Sequence, residues 1–350
     1  MRVGIACNSF GRSGGMEQYA LNVIDALIRL GHTPVVFTMS VDKTLPSYPH
    51  SEVHVCPPNK WLPNKLNVLH YNKWLREIRK QVPVEFMIAC CIAVTAEVAV
   101  CGGNHIGYLK AMKRRPHFYD QWIINLEREM YGNAKFVVAH AKTMYRELQA
   151  FYQVDPNRMK VIYPPQTFKP LDHELDRKAL RREFGLPEDK TLFLFPSSSH
   201  KRKGIDLLRQ YFEHTEYPEL LVVAGRPLKH PFKNALSIGF CAEMQKLYQA
   251  CDYTILASFY DPLGTVGIES VWNGTPAIMG NNIGCCEVLD ERSLRSFDVN
   301  SLDDLERVMA DVRKHPMRLE VPYQKYINPV ATVTIDNHVY ELMKTIHSLC

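Results

Sequence analysis

Several common patterns are missing from this sequence of 350 residues, and each absence excludes a class of protein. No apolar run approaches the roughly 20 residues that a helix needs to cross a bilayer. The ten cysteines contain no C-x-x-C pair, so the spacing typical of a zinc site is absent. The first residues, "MRVGIACNSFGRSGG", break at Gly11 before a signal-peptide core could form. We therefore expect no secretion by that route and a reducing cytosolic compartment.

The composition is that of an ordinary globular protein, with 46% hydrophobic and 23% charged residues. A chain of this length is expected to form about two domains, each with its own core. The net charge of +5 favours an anionic ligand or surface. It is too small to indicate a nucleic-acid partner, and we expect none.

Strands and helices alternate along most of the chain. The strand "RVGIAC" is followed by a glycine-rich loop, a helix with apolar residues at helical spacing and the strand "TPVVFTM". This order is the repeating unit of a parallel sheet. The alternation stops at residues 166–190, which are charged, contain prolines and lack a strand, and it resumes with "TLFLFPS".

This break predicts an α/β protein with two Rossmann-like domains whose parallel sheets face each other across a cleft. We place the N-terminal domain at residues 1–165, a linker with a short helix at 166–190 and the C-terminal domain at 191–330. Residues 331–350 are predicted to form a helix that can cross back to the first domain. Ligands of such domains bind at the carboxyl ends of the strands.

Two loops that join a strand to a helix have the composition of anion-binding sites. In "FGRSGGME", the glycines let backbone N–H groups approach a ligand at a helix N-terminus; a plain tight turn is the alternative. In "SSSHKRKGIDLL", Arg202 and Lys203 lie at a helix start. Cations are disfavoured there unless they face an anion such as a phosphate; a solvated basic loop is the alternative.

The stretch "YDPLGTVGIESVWNGTPAIMG" carries Asp261 on a loop and Glu269 inside the helix that follows. The backbone N–H groups from Leu263 to Val266 begin that helix and can hold an anion. A buried helical carboxylate needs a partner, and a pair of sugar hydroxyls would satisfy it. The alternative is that Glu269 pairs with a basic side chain and Asp261 only caps the helix.

These segments together resemble the retaining glycosyltransferases of the GT-B fold, specifically family 4. The family pattern E-x-F-G-x-x-x-x-E followed by C-G-x-P is matched by "DPLGTVGIE" and then "NGTP". "GGME" and "KRKGIDLL" match two further segments in the right order, and the resemblance covers residues 2 to about 345. The sequence departs from the pattern at Asp261, where the family has Glu, and at "NNIGCCE", where it has G-G-x-x-E.

The resemblance implies a role for each matching residue. Arg202 and Lys203 would neutralise the donor diphosphate, Asp261 would contact donor-sugar hydroxyls, and Glu269 would hold the ribose. No D-x-D occurs, so we expect positive side chains rather than a metal ion to stabilise the leaving diphosphate, and no cofactor. The other implied donor contacts, to phosphates, base and sugar, are Gly14, Gly15, Ile238, Gly239, Phe240, Leu263, Gly264, Thr265 and Val266.

The middle of the first domain resembles the lipopolysaccharide-core branch of the family. This implies a lipid-linked sugar as acceptor, with Asn104 and His105 on the acceptor side, although a core or surface role suits these two equally. A basic cluster with interfacial aromatics suits an anionic membrane surface, on the inner face of the cytoplasmic membrane; a solvated loop before a core helix is the alternative. The expected membrane contacts are Lys110, Lys113, Arg114, Arg115 and Trp122, with Tyr119 and Tyr131 nearby.

The function implied by the resemblance is transfer of a hexose, with retention, from a nucleoside-diphosphate sugar to a lipopolysaccharide-core acceptor. A uridine donor is the simplest expectation. Two alternatives share the fold: a nucleotide-sugar 2-epimerase, which would consume the donor alone, and a catalytically degenerate protein that binds a membrane surface.

Overall fold

The computed structural model describes residues 1–12, 14–59, 61, 63, 66–166 and 175–347. The chain forms two compact units, Met1–Thr167 together with Val333–Cys350, and Phe168–Thr332. Residues 167–174 of the predicted linker and 348–350 of the predicted C-terminal helix lie outside the described part.

The first unit is built on a sheet of seven strands. They are β1 (Arg2–Phe10), β2 (Thr33–Val41), β3 (Glu52–Val55), β4 (Phe86–Ala89), β5 (Val98–Cys101), β6 (Phe136–Ala139) and β7 (Met159–Val161). Their order across the sheet is β3-β2-β1-β4-β5-β6-β7, and all neighbours are parallel. Val3 and Ile5 in the central strand β1 are fully buried, as expected where helices cover both faces of a sheet.

Five helices connect these strands within the first unit. They are α1 (Gly15–Arg29), α2 (Asn67–Gln81), α3 (His105–Ala111), α4 (Phe118–Asn133) and α5 (Lys142–Tyr152). The apolar face of α1 packs on the sheet through side chains such as Val23, Ile24 and Leu27, which are fully buried.

The second unit repeats the architecture with six strands. Its helices are α6 (Arg177–Glu183), α7 (Ile205–His214), α8 (Met244–Ala250), α9 (Thr265–Trp272) and α10 (Leu302–Lys314). Its strands are β8 (Thr191–Ser197), β9 (Glu219–Gly225), β10 (Ala235–Gly239), β11 (Tyr253–Leu256), β12 (Ala277–Gly280) and β13 (Leu294–Phe297). The order β10-β9-β8-β11-β12-β13 is parallel throughout.

The last helix, α11 (Ile335–His347), belongs to the first unit and packs on α1. Asp336 forms an ion pair with Arg29 at 2.5 Å. Next to it, the Tyr19 hydroxyl and His338 Nε2 are hydrogen-bonded at 2.9 Å in the buried interface. The C-terminal helix is therefore fastened to the helix that begins at the glycine-rich loop.

The predicted α/β class with two parallel sheets is confirmed. The sequence analysis missed β3, β5, β13 and α3. The strand β5 was missed because "FMIACCIAVTAEVAVC" carries no glycine or proline to separate its apolar residues from β4. The seven residues of α3 make two turns, too few for a clear apolar period.

Candidate active site

In the second unit, the loop between β8 and α7 holds both predicted cations against backbone carbonyls. Arg202 Nη1 donates to the carbonyl oxygen of Tyr260 at 2.6 Å, and Lys203 Nζ donates to that of Pro196 at 2.9 Å. Arg202 and Asp261 are 3.9 Å apart, too far for a hydrogen bond. Both cations therefore keep N–H donors that a ligand can use.

The fold brings the four predicted catalytic residues together. Burial lowers the pKa of Lys203 below its ordinary value, and Arg202 acts in the same direction. Asp261 and Glu269 oppose this shift through their negative charge. Each of the other three charges thus lies close enough to act on Lys203, as expected for an anion site that balances two cations against two carboxylates.

Gly204 explains how the loops after β8 and β11 can meet. Its φ is +78°, and a Cβ atom would overlap the carbonyl oxygen of Ala257. The amide of Phe259 donates to the carbonyl oxygen of Arg202 at 2.9 Å. The two loops are packed backbone against backbone, and only glycine fits the contact.

The loop after β11 leads from Asp261 to the N-terminus of α9. Gly264 caps this helix in a left-handed conformation, φ +66°, and its Cβ position is occupied by the side chain of Ile283. Among the residues that the structure describes, the amides of Thr265 and Val266 have no acceptor. They form the positive end of the helix and can donate to an anion.

Glu269 lies on the second turn of α9 and is half-buried. Its Oε2 accepts a hydrogen bond from the buried Tyr248 hydroxyl at 3.0 Å, and burial raises the pKa of that phenol. The Oε1 atom accepts no hydrogen bond within the described part of the chain. The alternative in which Glu269 pairs with a basic side chain is thus not what the described contacts show. Tyr248, which the sequence analysis missed, fixes one oxygen and leaves the other for a ligand.

The "NNIGCCE" loop packs against the loop that carries Asp261 and supports it. Asn282 Nδ2 donates to the carbonyl oxygens of Ser258 and Phe259 at 3.0 and 2.7 Å. A Cβ atom on Gly284 would overlap the carbonyl oxygen of Pro262. The departure from the family pattern therefore occurs in a segment that packs directly against the Asp261 loop.

The predicted base-contacting residues lie at the end of β10. A register irregularity falls between Ser237 and Gly239, and Gly239 has φ +74°. The Phe240 side chain that follows is 87% exposed, while Ile238 is half-buried. An exposed aromatic ring beside an irregular strand end can stack on a planar base.

In the first unit, Gly14 precedes α1 and Gly15 begins it. Among the residues that the structure describes, a Cβ atom on Gly15 would meet nothing within 4 Å, and one on Gly14 would meet only the flexible carboxylate of Glu17. Space is therefore open above the helix N-terminus, as a bound phosphate would require.

Asn104 and His105 are engaged with other protein groups. Asn104 is buried, caps α3 by accepting from the Gly107 amide at 2.8 Å and donates to Glu147 at 2.5 Å. The His105 amide donates to Glu127 at 3.1 Å, and its ring bonds Asp120 at 2.8 Å. Of the two, only the His105 side chain, 19% exposed, keeps access to solvent.

Glu127 is a buried carboxylate that the sequence analysis did not single out. It accepts hydrogen bonds from the His105 amide and the Tyr152 hydroxyl, and burial raises its pKa to about 7. It fills the N-terminus of α3 and so keeps that helix end from a ligand. No local pattern marks it, because its partners lie on two other helices.

The basic loop, residues 112–117, joins α3 to α4 and is exposed at its centre. Lys110 lies over the Phe151 ring at 3.9 Å, and Arg114 pairs with Asp120 at 2.5 Å. Lys113 and Arg115 are exposed and form no ion pair within the described ranges. The cluster thus offers two cations directly, with a third shared with a buried carboxylate.

The aromatic residues near this loop are not equally available. Trp122 packs edge-on against Phe118 at 4.4 Å, and Phe118 is 74% exposed. Tyr119 is half-buried. Including Tyr131 near the surface was wrong, because it is 2% exposed and packs on Tyr152.

Within the described ranges, no three His, Cys, Asp or Glu side chains come together as a metal ion would need. Likewise, no helix in the described part combines the length and apolarity needed to span a membrane.

Comparison with known proteins identifies the family of this chain. Residues 13–165 match Glycosyltransferase Family 4, and residues 176–325 match Glycosyl transferases group 1. A "Probable transglycosylase" of Burkholderia thailandensis is 38% identical over 292 residues, covering 83% of this chain and 80% of that relative. The chain belongs to the family 4 glycosyltransferases.

Solved structures show the same GT-B fold for this glycosyltransferase. WaaG, a glycosyltransferase involved in lipopolysaccharide biosynthesis, superposes with a TM-score of 0.75 at 16% identity, over 98% of this chain and 95% of WaaG. Anabaena HepE in complex with UDP and glucose gives a TM-score of 0.71 at 16% identity, over 99% and 100%. At this level of identity the likeness establishes the fold.

Proposed function

We propose that this glycosyltransferase moves a hexose from a UDP-sugar to a lipopolysaccharide-core acceptor, with retention at the anomeric carbon. The observation that carries the donor half is the joint position of Arg202, Lys203, Asp261 and Glu269 at one edge of the second sheet. A diphosphate flanked by a sugar and a ribose needs cations at its centre and hydroxyl acceptors at both ends. The HepE complexes with UDP and UDP-glucose support a uridine donor.

Departure of the diphosphate builds negative charge, and the site would stabilise it with groups already in place. Lys203 and Arg202 are anchored by backbone carbonyls, so they need little reorganisation during the reaction. The amides of Thr265 and Val266 would add two neutral donors at a helix N-terminus. Fixed donors aimed at developing charge are the largest single contribution in many enzymes.

Retention would follow from attack on the same face as departure. The acceptor hydroxyl oxygen would bond to the anomeric carbon as the bond between that carbon and the donor phosphate oxygen breaks. The hydroxyl proton would pass to the departing phosphate. Asp261 would accept hydrogen bonds from the donor sugar and hold it for this step.

The acceptor half of the proposal is supported by the exposed surface of the first unit. Lys113 and Arg115 lie beside the exposed Phe118 and its partner Trp122. Cations next to interfacial aromatics favour anionic headgroups and the boundary with the acyl chains. The protein would therefore work peripherally on the inner face of the cytoplasmic membrane, where a lipid-linked acceptor is found.

A thermal-shift screen against UDP, ADP, GDP and several UDP-sugars tests the donor. Ligand binding to the folded state raises the melting temperature, and we expect the largest rise with uridine compounds. A stronger response to ADP or GDP would contradict the uridine assignment. Glu269→Ala should remove the rise, because one end of the donor loses its hydroxyl acceptor.

Product analysis separates the reactions open to this fold. Incubation with donor and lipopolysaccharide-core acceptor should give a glycosylated product whose anomeric configuration, read by NMR, matches the donor. Conversion of the donor without acceptor would indicate a 2-epimerase. Vesicle binding with no turnover in any donor and acceptor combination would indicate a degenerate binding protein.

A further inference from the structure

Asp120 is a buried carboxylate beneath the basic loop, with its side chain 2% exposed. It lies in the first turn of α4, where three donors converge on it. Its Oδ2 accepts from the His117 amide at 2.7 Å. Its Oδ1 accepts from both His105 Nε2 at 2.8 Å and Arg114 Nη2 at 2.5 Å. One oxygen thus joins the candidate acceptor-side histidine to a cation of the basic loop.

The two partners of Oδ1 differ in exposure. The Arg114 side chain is 44% exposed and the His105 side chain is 19% exposed. Burial alone would raise the pKa of Asp120, but the His117 amide, the His105 ring and Arg114 hold that pKa below its ordinary value. Asp120 is therefore a stable carboxylate, and Arg114 is the partner that an outside anion can reach.

We infer that Asp120 couples the basic loop to His105, so that a lipid phosphate that binds Arg114 leaves His105 as the remaining partner of Asp120 Oδ1. This inference rests on the membrane part of the proposed function. When Arg114 moves away, Asp120 loses a neighbouring positive charge and a hydrogen-bond donor that had competed with His105 for Oδ1. The remaining bond between Asp120 Oδ1 and His105 Nε2 then favours the doubly protonated ring of His105. A carboxylate that no longer pairs with Arg114 stabilises imidazolium more strongly. Docking on an anionic surface would thereby change the charge of a group on the acceptor side.

Other charged and titratable groups face this cluster from all three neighbouring helices. The Tyr108 ring of α3 lies 6.3 Å from the His105 ring and 6.0 Å from the Arg114 guanidinium. Glu127 of α4 binds the His105 amide, and not its ring. The other such groups are Lys110 on α3, His117 and Tyr119 at the start of α4, and Glu147 and Tyr152 on α5. Asp120 is the one carboxylate that a described hydrogen bond joins to the His105 ring.

The test follows the ring nitrogens of His105 by NMR in the full-length protein with labelled histidine. The two 15N resonances report which nitrogens carry protons, and assignment comes from a His105→Gln spectrum. Spectra at neutral pH are compared without lipid, with phosphatidylcholine bilayers, with phosphatidylglycerol bilayers and with soluble glycerol phosphate. Arg114→Ala imitates withdrawal of the guanidinium, and Arg115→Ala is the matched control with the same loss of charge.

We expect phosphatidylglycerol bilayers to shift His105 toward the doubly protonated form, while phosphatidylcholine does not. Arg114→Ala should produce the same shift without lipid, and Arg115→Ala should not. Equal shifts in the two variants would overturn the coupling, since a general charge effect would explain them. A shift with soluble glycerol phosphate equal to that with bilayers would overturn the lipid assignment. If the bilayers do not bind but Arg114→Ala alone shifts His105, the membrane part of the proposed function fails while the Asp120 link stands.

Discussion

Each unit carries candidate residues at the edge of its sheet where the strands end, and the polar side chains at these two edges find their hydrogen-bond partners in different ways. In the second unit, Arg202 and Lys203 bind backbone carbonyls, and Glu269 meets a single hydroxyl. In the first unit, polar side chains bind one another, as Asn104 does with Glu147 and His105 with Asp120. The side chains at the edge in the second unit keep donors and acceptors for a ligand, whereas those at the edge in the first unit have used most of theirs on one another.

This difference suits the second unit's edge to a charged ligand, whereas the first unit's edge is held by hydrogen bonds among its own side chains. Cations anchored by carbonyls stay in position while their other donors await a diphosphate. Side chains that satisfy each other are positioned without a ligand and change when one member moves. The predictions below test this contrast, beginning with the largest effect.

We call the group of Arg202, Lys203, Asp261 and Glu269 in the second unit the donor edge. Loss of the Lys203 ammonium should be the most damaging change there. Lys203→Ala removes a half-buried cation that lies close to three other charges, and we expect kcat/KM for transfer to fall by about 10²–10³-fold. Lys201→Ala is the matched control, because Lys201 lies on the same loop and is exposed. Near-normal turnover of folded Lys203→Ala would break the assignment of this edge as the donor site.

The backbone contact beneath the donor edge should be the next most sensitive feature. In Gly204→Ala, a Cβ atom overlaps the carbonyl oxygen of Ala257 at φ +78°, so we expect destabilisation of more than about 2 kcal/mol. Gly185→Ala is the control, because Gly185 has φ +63° but no atom near its Cβ position. Urea denaturation of both variants separates the overlap from backbone strain. Equal losses would show that the contact between the loops contributes nothing.

The residues of the proposed donor site could be chosen from local sequence. A glycine at a helix cap, two cations before it and a carboxylate inside the next helix keep a fixed spacing along the chain. The supporting residues were not predictable in this way. Tyr248 reaches Glu269 from another helix, and Asn282 holds the Asp261 loop from the end of β12. Their roles exist only once the strands are ordered.

The first edge shows the same limit more strongly. Asn104 and His105 could be named from the family resemblance, but their partners Asp120, Glu127 and Glu147 lie on α4 and α5. No periodicity in those helices distinguishes an inward carboxylate from a solvated one. The fold class was predicted because strand and helix patterns repeat, and this cluster could not be, because it depends on packing between helices.

Glu127 provides a pH test of the first edge. Its pKa is raised from 4.5 to about 7 by burial, so its contribution to stability is complete below pH 4.5 and is lost as the pH rises through 7. Glu127→Gln imitates the protonated form and should stabilise the first unit by up to about 3 kcal/mol at about pH 8. Near pH 4.5 the variant should bring no gain. Denaturant unfolding read from the fluorescence of the first unit's tryptophans, Trp61, Trp74 and Trp122, in a Trp272→Phe background measures this. Glu129→Gln is a more exposed control on the same helix.

The buried His338 of α11 should give a smaller effect of the opposite sign. Burial lowers the pKa of His338 from 6.5 to about 4, so its stabilisation is present above pH 6.5 and is lost as the pH falls toward 4. His338→Phe removes the bond to the Tyr19 hydroxyl and should cost about 1 kcal/mol at neutral pH. The deficit should shrink below pH 6.5, because the variant has no ring to protonate, and should reverse near about pH 5. The same fluorescence assay checks it, and Tyr19→Phe is the control that loses the bond but keeps the titrating ring. A deficit that stayed constant from neutral pH to pH 5 would mean that His338 does not titrate with unfolding, and the buried polar network of the first unit would then be no more pH-dependent than the donor edge.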